Sequence, residues 1–591
     1  MSAAEDVIGP ARGRRRELAA VAALLALGAA LALPGLFTNA VTVDEFAHLP
    51  AGYVTLTGGR FDVYPKTPPL VRALQALPWL LDRPALAATA VADRGDRFAW
   101  QPWRIGDDLM RRNAAIYDRL FHSARLVALG FALLTGLLLW RWARALHGGA
   151  AALLALALWV TTPTVLAHGS VATVDAGATG LFLLALVCLR RFVLRPGPAR
   201  GAALGLALAA GVGAKLTALA LLAVIPAVTF CCWLARRWRD RGGEERGVAG
   251  GRGAGTRAYL AGAAAAAGVA LLGLNLLYGC RGTLEPWATY RPFSSLFGAV
   301  QRAMPSALPT LLPRDFLAGL DAQQSDLEGG EFSSYIAGRW SRAGHRGYYL
   351  RAFAWKEPLP FLLLLATSAA WYRRPARREL AGELCVWVPV LLLLAAAELG
   401  RLQSGIRYLL PIYPLLCLQA GKVAALAAHS PRGRRGLGAA ITILVALQAA
   451  ETWRLGPDHL SYFNALAGGP MRGHELLLES NLDWGQDVAR AARWCAAQRV
   501  ERPYVALFTH VDPRLVYDLD FAPPPPRPGP GVYVVSANYL HGLPYPMTYA
   551  GVDAGRISVS WLAAQRPIAR VGRSVFVFRI EDAAAVISSA R

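Results

Sequence analysis

Long apolar runs separated by short polar turns restrict this chain more than any other feature of its sequence. Roughly 20 apolar residues suffice to cross the hydrocarbon core of a bilayer as a helix, and backbone polar groups there must be paired within the protein. This pattern favours a bundle of membrane helices. The runs lie at 18–37, 123–140, 149–167, 170–189, 201–214, 216–234, 258–278, 350–371, 380–399, 405–428 and 437–453.

We therefore expect an all-α polytopic membrane bundle of about 11 transmembrane helices. Hydrophobic residues make up 55% of the 591 residues, more than is usual for a soluble protein of this size. A basic stretch at 12–16 precedes the first run, as in a signal peptide, but the run is longer than the usual signal core and predicts a retained span. The fifth and sixth runs are divided at 211–215, because a lysine after glycines fits a turn better than the membrane interior.

The net charge of +23 is spread over short arginine clusters between the apolar runs. Basic residues collect in the cytoplasmic loops of membrane proteins, so this placement indicates such loops rather than a nucleic-acid surface. With a cytoplasmic N-terminus, the turns on the opposite side, around His168, Lys215 and Arg401, carry few charges. All the clusters then fall on the cytoplasmic side, at 12–16, 141–144, 190–200, 236–257, 373–378 and 432–435.

Three long segments fall on the extracytoplasmic side in this orientation, at 38–122, 279–349 and 454–591. Residues 1–453 are predicted to form the transmembrane domain, with the first two segments as its outer loops. The first loop combines amphipathic stretches with tryptophans, as is typical of helices that lie along the interface. These are Trp79, Trp100 and Trp103.

The C-terminal segment predicts a small extracytoplasmic α/β domain. Its strand candidates lie at 504–509, 532–536 and 574–580. Asp483 and Gln486 are placed to cap the helix that follows them, since an acid and a glutamine three residues apart form a capping box.

Asp44 and Glu45 are the first candidates for chemistry, because they directly follow the first apolar run and therefore lie at the outer membrane surface. A carboxylate at that depth can take a proton from a hydroxyl that attacks a lipid-borne substrate. Asp44 alone is also compatible with a polar helix end.

Cations and further polar residues lie at a similar depth. Lysines or arginines there can stabilise a departing phosphate. Asp175 and Lys356 are also compatible with structural roles inside the bundle, Lys356 as the partner of Asp175 or Glu357. The candidates for substrate binding are Lys66, Asp175, Lys356, Arg407, His48 and His168. The two histidines have no partner at metal-ligand spacing and the seven cysteines are scattered, so we expect no metal site and no other cofactor.

Five ordered segments resemble those of bacterial members of the protein O-mannosyltransferase superfamily, which includes the lipid A aminoarabinose transferases. These are membrane glycosyltransferases of the GT-C fold, related to glycosyltransferase family 39. The segments are TVDEFAHL at 42–49 with PPL at 68–70, LAHGSVATVD at 166–175, KEPLP at 356–360, GIRY at 405–408 with Pro411, and YFN at 462–464 with NLDWGQD at 481–487.

The resemblance implies inverting transfer of a sugar from a polyprenyl-phosphate donor to an acceptor hydroxyl or similar group, at the outer face of the bacterial cytoplasmic (inner) membrane. By position, Asp44 corresponds to the general base and Glu45 to a neighbour that contacts acceptor or donor. Lys66 is similar to a lysine near the phosphate, although Thr67 separates it from the two prolines. The acceptor is a protein, a lipid or a glycan. The β-trefoil insert of eukaryotic protein mannosyltransferases has no counterpart here, and its absence argues against a protein as the acceptor.

Two other functions stay open at the level of sequence. A transporter or flippase has a similar number of spans, but such proteins usually contain repeated halves and a site near the membrane midplane. A non-catalytic protein of envelope assembly also fits, because a fold does not ensure an activity.

Overall fold

The computed structural model describes residues 9–92, 101–241, 252–330, 332–371, 379–428, 433–545, 547–549, 552–553 and 558–581. Four parts of the predicted features lie outside the described residues: Trp100, the basic segment 373–378, residues 242–251 of the segment 236–257, and Arg432.

The N-terminal part of the chain alternates one long apolar helix with short amphipathic ones. An apolar stretch of leucines and alanines favours a helix both by propensity and because lipid leaves no other partner for the backbone. The helices are α1 (Gly9–Thr38), α2 (Val43–Gly58), α3 (Pro69–Ala76), α4 (Trp79–Asp82), α5 (Ala88–Ala92) and α6 (Gln101–Arg112).

Apolar helices then follow one another through the central part of the chain. They are α7 (Tyr117–His147), α8 (Gly149–Thr161), α9 (Pro163–Gly169), α10 (Val174–Leu194), α11 (Pro198–Ala214), α12 (Leu221–Arg241) and α13 (Arg252–Leu277). After a more polar stretch with α14 (Ser295–Ala303), α15 (Arg314–Gly329), β1 (Ser334–Ile336) and β2 (Arg339–Ser341), they continue with α16 (Tyr348–Lys356), α17 (Leu359–Ala370), α18 (Leu380–Leu399), α19 (Tyr413–Ala428) and α20 (Gly433–Leu455).

The predicted helical membrane bundle is confirmed. Within the described residues, 8 helices are long and apolar enough to cross a membrane, or 9 if the bent pair α8 and α9 is one span. Two further predicted spans, at 201–214 and 350–371, correspond to the shorter apolar helices Pro198–Ala214 and Leu359–Ala370. Each of the eleven apolar runs therefore contains helix.

Three helix breaks introduce polar backbone and side chains into this bundle. The residue before a proline avoids the helical region, and accordingly Thr162 is extended before Pro163, where α8 and α9 meet at 62°. Pro358 separates α16 from α17 in the same way. The predicted break at 211–215 is also present, because α11 ends at Ala214 and Lys215 is extended.

The C-terminal segment contains the expected mixture of helices and strands. Its elements are α21 (Gly473–Leu476), α22 (Val488–Ala497), β3 (Tyr504–Ala506), α23 (Pro513–Tyr517), β4 (Gly531–Ser536), α24 (Ala537–Leu540), β5 (Thr548–Tyr549), β6 (Val552–Asp553), β7 (Ala569–Val571) and β8 (Val575–Ile580). One sheet has the strand order β3-β4-β8-β7, in which β3 and β4 are parallel and the other pairs antiparallel. The three strands predicted at 504–509, 532–536 and 574–580 correspond to β3, β4 and β8. The division of the chain at residue 453 stays a prediction.

The cap predicted for α22 is different in the structure. The helix begins at Val488 with Asp487 as its N-cap, one turn later than expected. Asp483 and Gln486 instead accept hydrogen bonds from the backbone N–H groups of Gly485 and Trp484, so they stabilise the turn before the helix. The glycine at 485 has φ +92°, and this left-handed residue turns the chain before a helix can start.

The N-terminal end of α2 is joined directly to this turn. Ala40 N donates to Gln486 O at 2.9 Å, and Val43 N donates to Trp484 O at 3.0 Å. The backbone of residues 40–43 is thus hydrogen-bonded to that of residues 484–486, and both segments border the site described next.

Candidate active site

A cavity of about 540 Å³ lies where α2 and the loop before α3 meet α15, the segment before α19 and the C-terminal segment. Its wall combines titratable side chains with aromatic rings. The ionisable residues that line it include Asp44, His48, Lys66, Lys215, Arg407 and Glu479. We refer to it below as the polar cavity.

Asp44 forms an ion pair with Arg407 at the wall of the polar cavity. It lies in the first turn of α2, and its Oδ2 accepts from Arg407 Nη1 at 2.5 Å. The guanidinium lies over the ring of Trp484, 4.5 Å from its centroid. Burial raises the pKa of Asp44, but the charge of Arg407 outweighs that effect, so the pKa is below the usual value and the carboxyl is ionised at neutral pH.

A second ion pair continues from the first. Asp175 lies in the first turn of α10, and its Oδ1 accepts from Lys215 Nζ at 2.5 Å. Its Oδ2 accepts from Thr173 Oγ1 and lies 3.7 Å from Arg407 Nη1. Lys215, Asp175, Arg407 and Asp44 therefore form a charge network in which cations and anions alternate.

Lys215 is the member of this network that is not among the site residues expected from the sequence. The sequence predicts the break after α11, but there a lysine is explained by a turn alone. Its position at the same predicted depth as Asp175, on the sparsely charged outer side, is the signal that could have identified it.

Two other predicted binding residues line the cavity. Lys66 pairs with Asp326 of α15 at 2.7 Å. His48 is buried one turn after Asp44, and no described residue bonds to its Nδ1. Burial lowers the pKa of His48 to about 4, so the imidazole is neutral at physiological pH. His168 lies behind the wall, edge-on to Trp484 with 5.9 Å between ring centroids.

Glu45 is not at the cavity, although it is the neighbour of Asp44. Its side chain is 0% exposed and binds Arg125 of α7 through two hydrogen bonds of 2.7 Å. Thr42 N and Ala172 N also donate to its carboxylate. The structure therefore does not support the expectation that Glu45 contacts donor or acceptor, since all its contacts are structural.

Lys356 is also held away from the cavity. Its Nζ donates to Leu460 O at 2.7 Å and to Asn481 O, and the ring of Phe463 lies 4.7 Å from it. Neither alternative partner is used, because Asp175 binds Lys215 and Glu357 accepts from Thr164 and Tyr413. Lys356 is therefore not placed as the substrate-binding residue that the sequence predicted, and the cation joined to Arg407 through Asp175 is Lys215.

We expect Lys356→Met to lower the stability of the protein and to leave its lipid binding intact. The change leaves two buried carbonyls without a donor, at about 1–3 kcal/mol each. Thermal unfolding of the detergent-purified protein measures the loss. Lys66→Met is the control, because that lysine is part-exposed and its loss should cost little stability. A Lys356→Met protein that unfolds like wild type but binds a polyprenyl phosphate poorly would contradict this assignment.

The described residues contain no group of three or more His, Cys, Asp or Glu side chains that could hold a metal ion. The polar cavity offers the ionised carboxylate of Asp44, three cations and a neutral imidazole. Together they can accept a proton and hold an anion.

The fold and this cavity define a multi-pass membrane protein with a charged site at the ends of its helices. Residues 109–243 match the profile of a family described as dolichyl-phosphate-mannose-protein mannosyltransferase. Over these residues, about a quarter of its length, the chain is similar to that family. The matched stretch contains Arg125, Asp175 and Lys215 but neither Asp44 nor Arg407.

The chain is also similar to solved structures whose sequences are distant from it. ArnT from Cupriavidus metallidurans bound to undecaprenyl phosphate is 15% identical, with a TM-score of 0.46 over 94% of this chain and 97% of that chain. AglB from Archaeoglobus fulgidus, in complex with an inhibitory peptide and a dolichol-phosphate, is 13% identical, with a TM-score of 0.35 over 75% of this chain and 55% of that chain. No curated protein sequence matches the chain significantly.

Proposed function

We propose that the chain is an inverting glycosyltransferase that moves a sugar from a polyprenyl-phosphate donor to a hydroxyl or similar group of an acceptor. The reaction would take place at the extracytoplasmic face of the cytoplasmic membrane. The observation that carries this proposal is the pairing of the polar cavity with a large apolar cavity that shares one of its walls.

The apolar cavity has a volume of about 880 Å³ and lies among α11, α12 and α13. Helix α15 borders both cavities: Phe316 and Leu320 line the apolar one, and Gln323 and Asp326, about one turn further on, line the polar one. A polyprenyl phosphate has the same division into a long apolar chain and a compact anionic head. An amphiphile of this kind can bury its chain and present its head to cations at once.

Arg407 and Lys215 are the cations best placed for the phosphate. Both are partly neutralised by Asp44 and Asp175, so an arriving phosphate would share them rather than meet isolated charges. As the bond between the anomeric carbon and the phosphate oxygen breaks, its electron pair stays on that oxygen and the phosphate gains negative charge. Preplaced cations therefore stabilise the transition state more than the ground state.

Asp44 is the residue we assign as general base. An acceptor hydroxyl attacks the anomeric carbon from the face opposite the phosphate, and its proton passes to the Asp44 carboxylate. Arg407 keeps the pKa of Asp44 low in the structure, which weakens it as a base. A bound phosphate beside Arg407 adds negative charge and so raises that pKa, which makes Asp44 a stronger base when the donor is present.

Sugar transfer by the purified protein tests this function. The protein is incubated in lipid nanodiscs with radiolabelled polyprenyl-phosphate mannose, glucose or a pentose, together with an envelope extract as acceptor source. Donor-dependent label in an acceptor, with inverted anomeric configuration, is the expected result. Movement of an unaltered glycolipid across sealed vesicles without transfer would identify a flippase instead.

The predicted orientation is tested separately with reporter fusions. We expect a cytoplasmic signal after Arg16 and Arg241 and an external signal after Gly456, because basic clusters remain on the cytoplasmic side. The polar cavity would then open to the exterior. An inverted signal at any of these three points would overturn the orientation and place the reaction at the other membrane face.

A further inference from the structure

Glu479 is a carboxylic acid in the wall of the polar cavity that comes from the C-terminal segment. It begins the short 3₁₀ turn Glu479–Asn481, and its backbone φ is +54°. A residue with a side chain is disfavoured in this left-handed region, where glycine is tolerated. The sequence nevertheless has a glutamate at this position.

The strained backbone of Glu479 is held from both sides. Its N–H donates to Asn538 Oδ1 at 2.8 Å, and its carbonyl accepts from Leu482 N and Asp483 N. Asn538 is fixed in turn by donating to Asp483 O at 3.0 Å. Backbone strain of this kind persists where the surroundings enforce it, and such positions cluster at binding and catalytic sites.

The Glu479 carboxyl differs from the other acids of this site. Asp44, Asp175 and Asp326 each form an ion pair, with Arg407, Lys215 and Lys66. In the part of the chain that the structure describes, no hydrogen bond or ion pair reaches the carboxyl of Glu479. Burial raises the pKa of Glu479 to about 8, and Arg407 offsets this effect only in part. The group is therefore mainly protonated at neutral pH, and it can both donate and accept a hydrogen bond.

Aromatic side chains from the C-terminal segment line the polar cavity together with Glu479. Trp484, Phe508, Tyr539 and Tyr545 line the same cavity. Rings that exclude water around a small number of fixed polar groups are typical of small-molecule sites. A sugar matches such a wall, because its ring carries C–H groups on its faces and hydroxyls on its edge.

We propose that Glu479 binds hydroxyl groups of a sugar held in the polar cavity, which makes the C-terminal segment part of the substrate site. The assignment rests on the proposed glycosyltransferase function. The sugar belongs either to the donor or to the acceptor, and both present the same hydroxyl chemistry to the carboxyl.

Glu479→Gly tests this assignment without the usual ambiguity about folding. Glycine is favoured at φ +54°, so the variant loses the carboxyl and also loses the backbone strain. We expect a midpoint of thermal unfolding equal to or above that of wild type, together with weaker sugar binding. A purely structural glutamate would give the opposite pair of results. Glu475→Gly is the matched control, because that glutamate lies outside the cavity and pairs with Arg472.

The measurements compare undecaprenyl phosphate with undecaprenyl-phosphate mannose. If the donor sugar contacts Glu479, Glu479→Gly weakens binding of the mannosylated lipid by about tenfold, the loss of one ordinary hydrogen bond, and leaves binding of undecaprenyl phosphate unchanged. If the acceptor sugar contacts it, both lipids bind as to wild type, and the KM for the acceptor rises by a similar factor with little change in kcat.

Glu479→Gln tests in the same assays whether hydrogen bonding by a side chain of this size is sufficient without a carboxyl group. The amide keeps one donor and one acceptor, so it should restore most of the affinity that Glu479→Gly loses. Wild-type donor affinity and wild-type acceptor KM in Glu479→Gly would overturn the assignment while leaving the proposed function intact. Wild-type protein that binds no mannosylated lipid and transfers no sugar from any donor would overturn both.

Discussion

Asp44→Asn is expected to lower sugar transfer by roughly 10²–10⁴-fold, the usual contribution of a general base. Asparagine has nearly the same size and keeps an oxygen that can accept from Arg407, but it cannot take the acceptor's proton. The protein should therefore fold normally and lose the chemical step. Initial rates of transfer from the labelled donor, measured at equal amounts of folded protein, give the size of the loss.

The affinity for the donor distinguishes this explanation from a binding defect. Asparagine removes the negative charge that partly neutralises Arg407, so the guanidinium becomes more available to a phosphate. Binding of undecaprenyl phosphate to Asp44→Asn should equal or exceed that of wild type. Asp326→Asn is the matched control, since it makes the same change at the same cavity, at the carboxylate that pairs with Lys66. Full transfer activity in Asp44→Asn would exclude Asp44 as the base.

Arg125→Met should destabilise the folded protein by about 3–5 kcal/mol, because it leaves the charge of Glu45 buried without a partner. Both side chains of the pair are at most 1% exposed. Arg125 also donates to the carbonyls of Leu36, Asn39 and Ala40, and so joins α7 to the end of α1 and to the loop that follows it. Thermal unfolding in detergent, combined with the yield of folded protein, measures the effect.

A surface arginine on the same helix provides the control. Arg119 pairs with Asp82 and its side chain is 67% exposed, so Arg119→Met should cost less than about 1 kcal/mol. We expect Glu45→Gln to resemble Arg125→Met: less folded protein, with near-normal transfer per folded molecule. If well-folded Glu45→Gln protein transferred sugar slowly, Glu45 would have a role in catalysis and the structural assignment would be wrong.

The different positions of Asp44 and Glu45 show where sequence reasoning is sufficient and where it is not. Adjacent residues on a helix point about 100° apart, so only one of them can face the cavity. The sequence contained a hint, because Thr42 and Glu45 have the spacing of a capping box and the Glu45 carboxylate does return to the Thr42 backbone N–H. It could not supply Arg125, which lies 80 residues away along the chain.

The helical bundle was predictable from the sequence, whereas the contacts inside it were not. Apolar length is a property of a single segment, and it was sufficient to predict the bundle. The membrane depth of Asp175 and Arg407 stays a prediction. The hydrogen-bond partners of Lys356 are backbone carbonyls more than 100 residues further on. Every residue has a backbone carbonyl, so the residue types do not show that carbonyls are the partners of Lys356. From the sequence alone, a substrate phosphate is therefore as reasonable a partner for this lysine.

The backbone hydrogen bonds between residues 40–43 and 484–486 have a consequence for biosynthesis. The ribosome makes Asp44 early, but the segment that fixes the start of its helix is made more than 400 residues later. Until then Asp44, the proposed base, lies in a segment without its carbonyl acceptors, Trp484 O and Gln486 O, and without the Trp484 ring that packs on Arg407. A nascent or truncated chain should therefore be inert toward the lipid pool of its own membrane, and activity should appear only when synthesis of the C-terminal segment is complete.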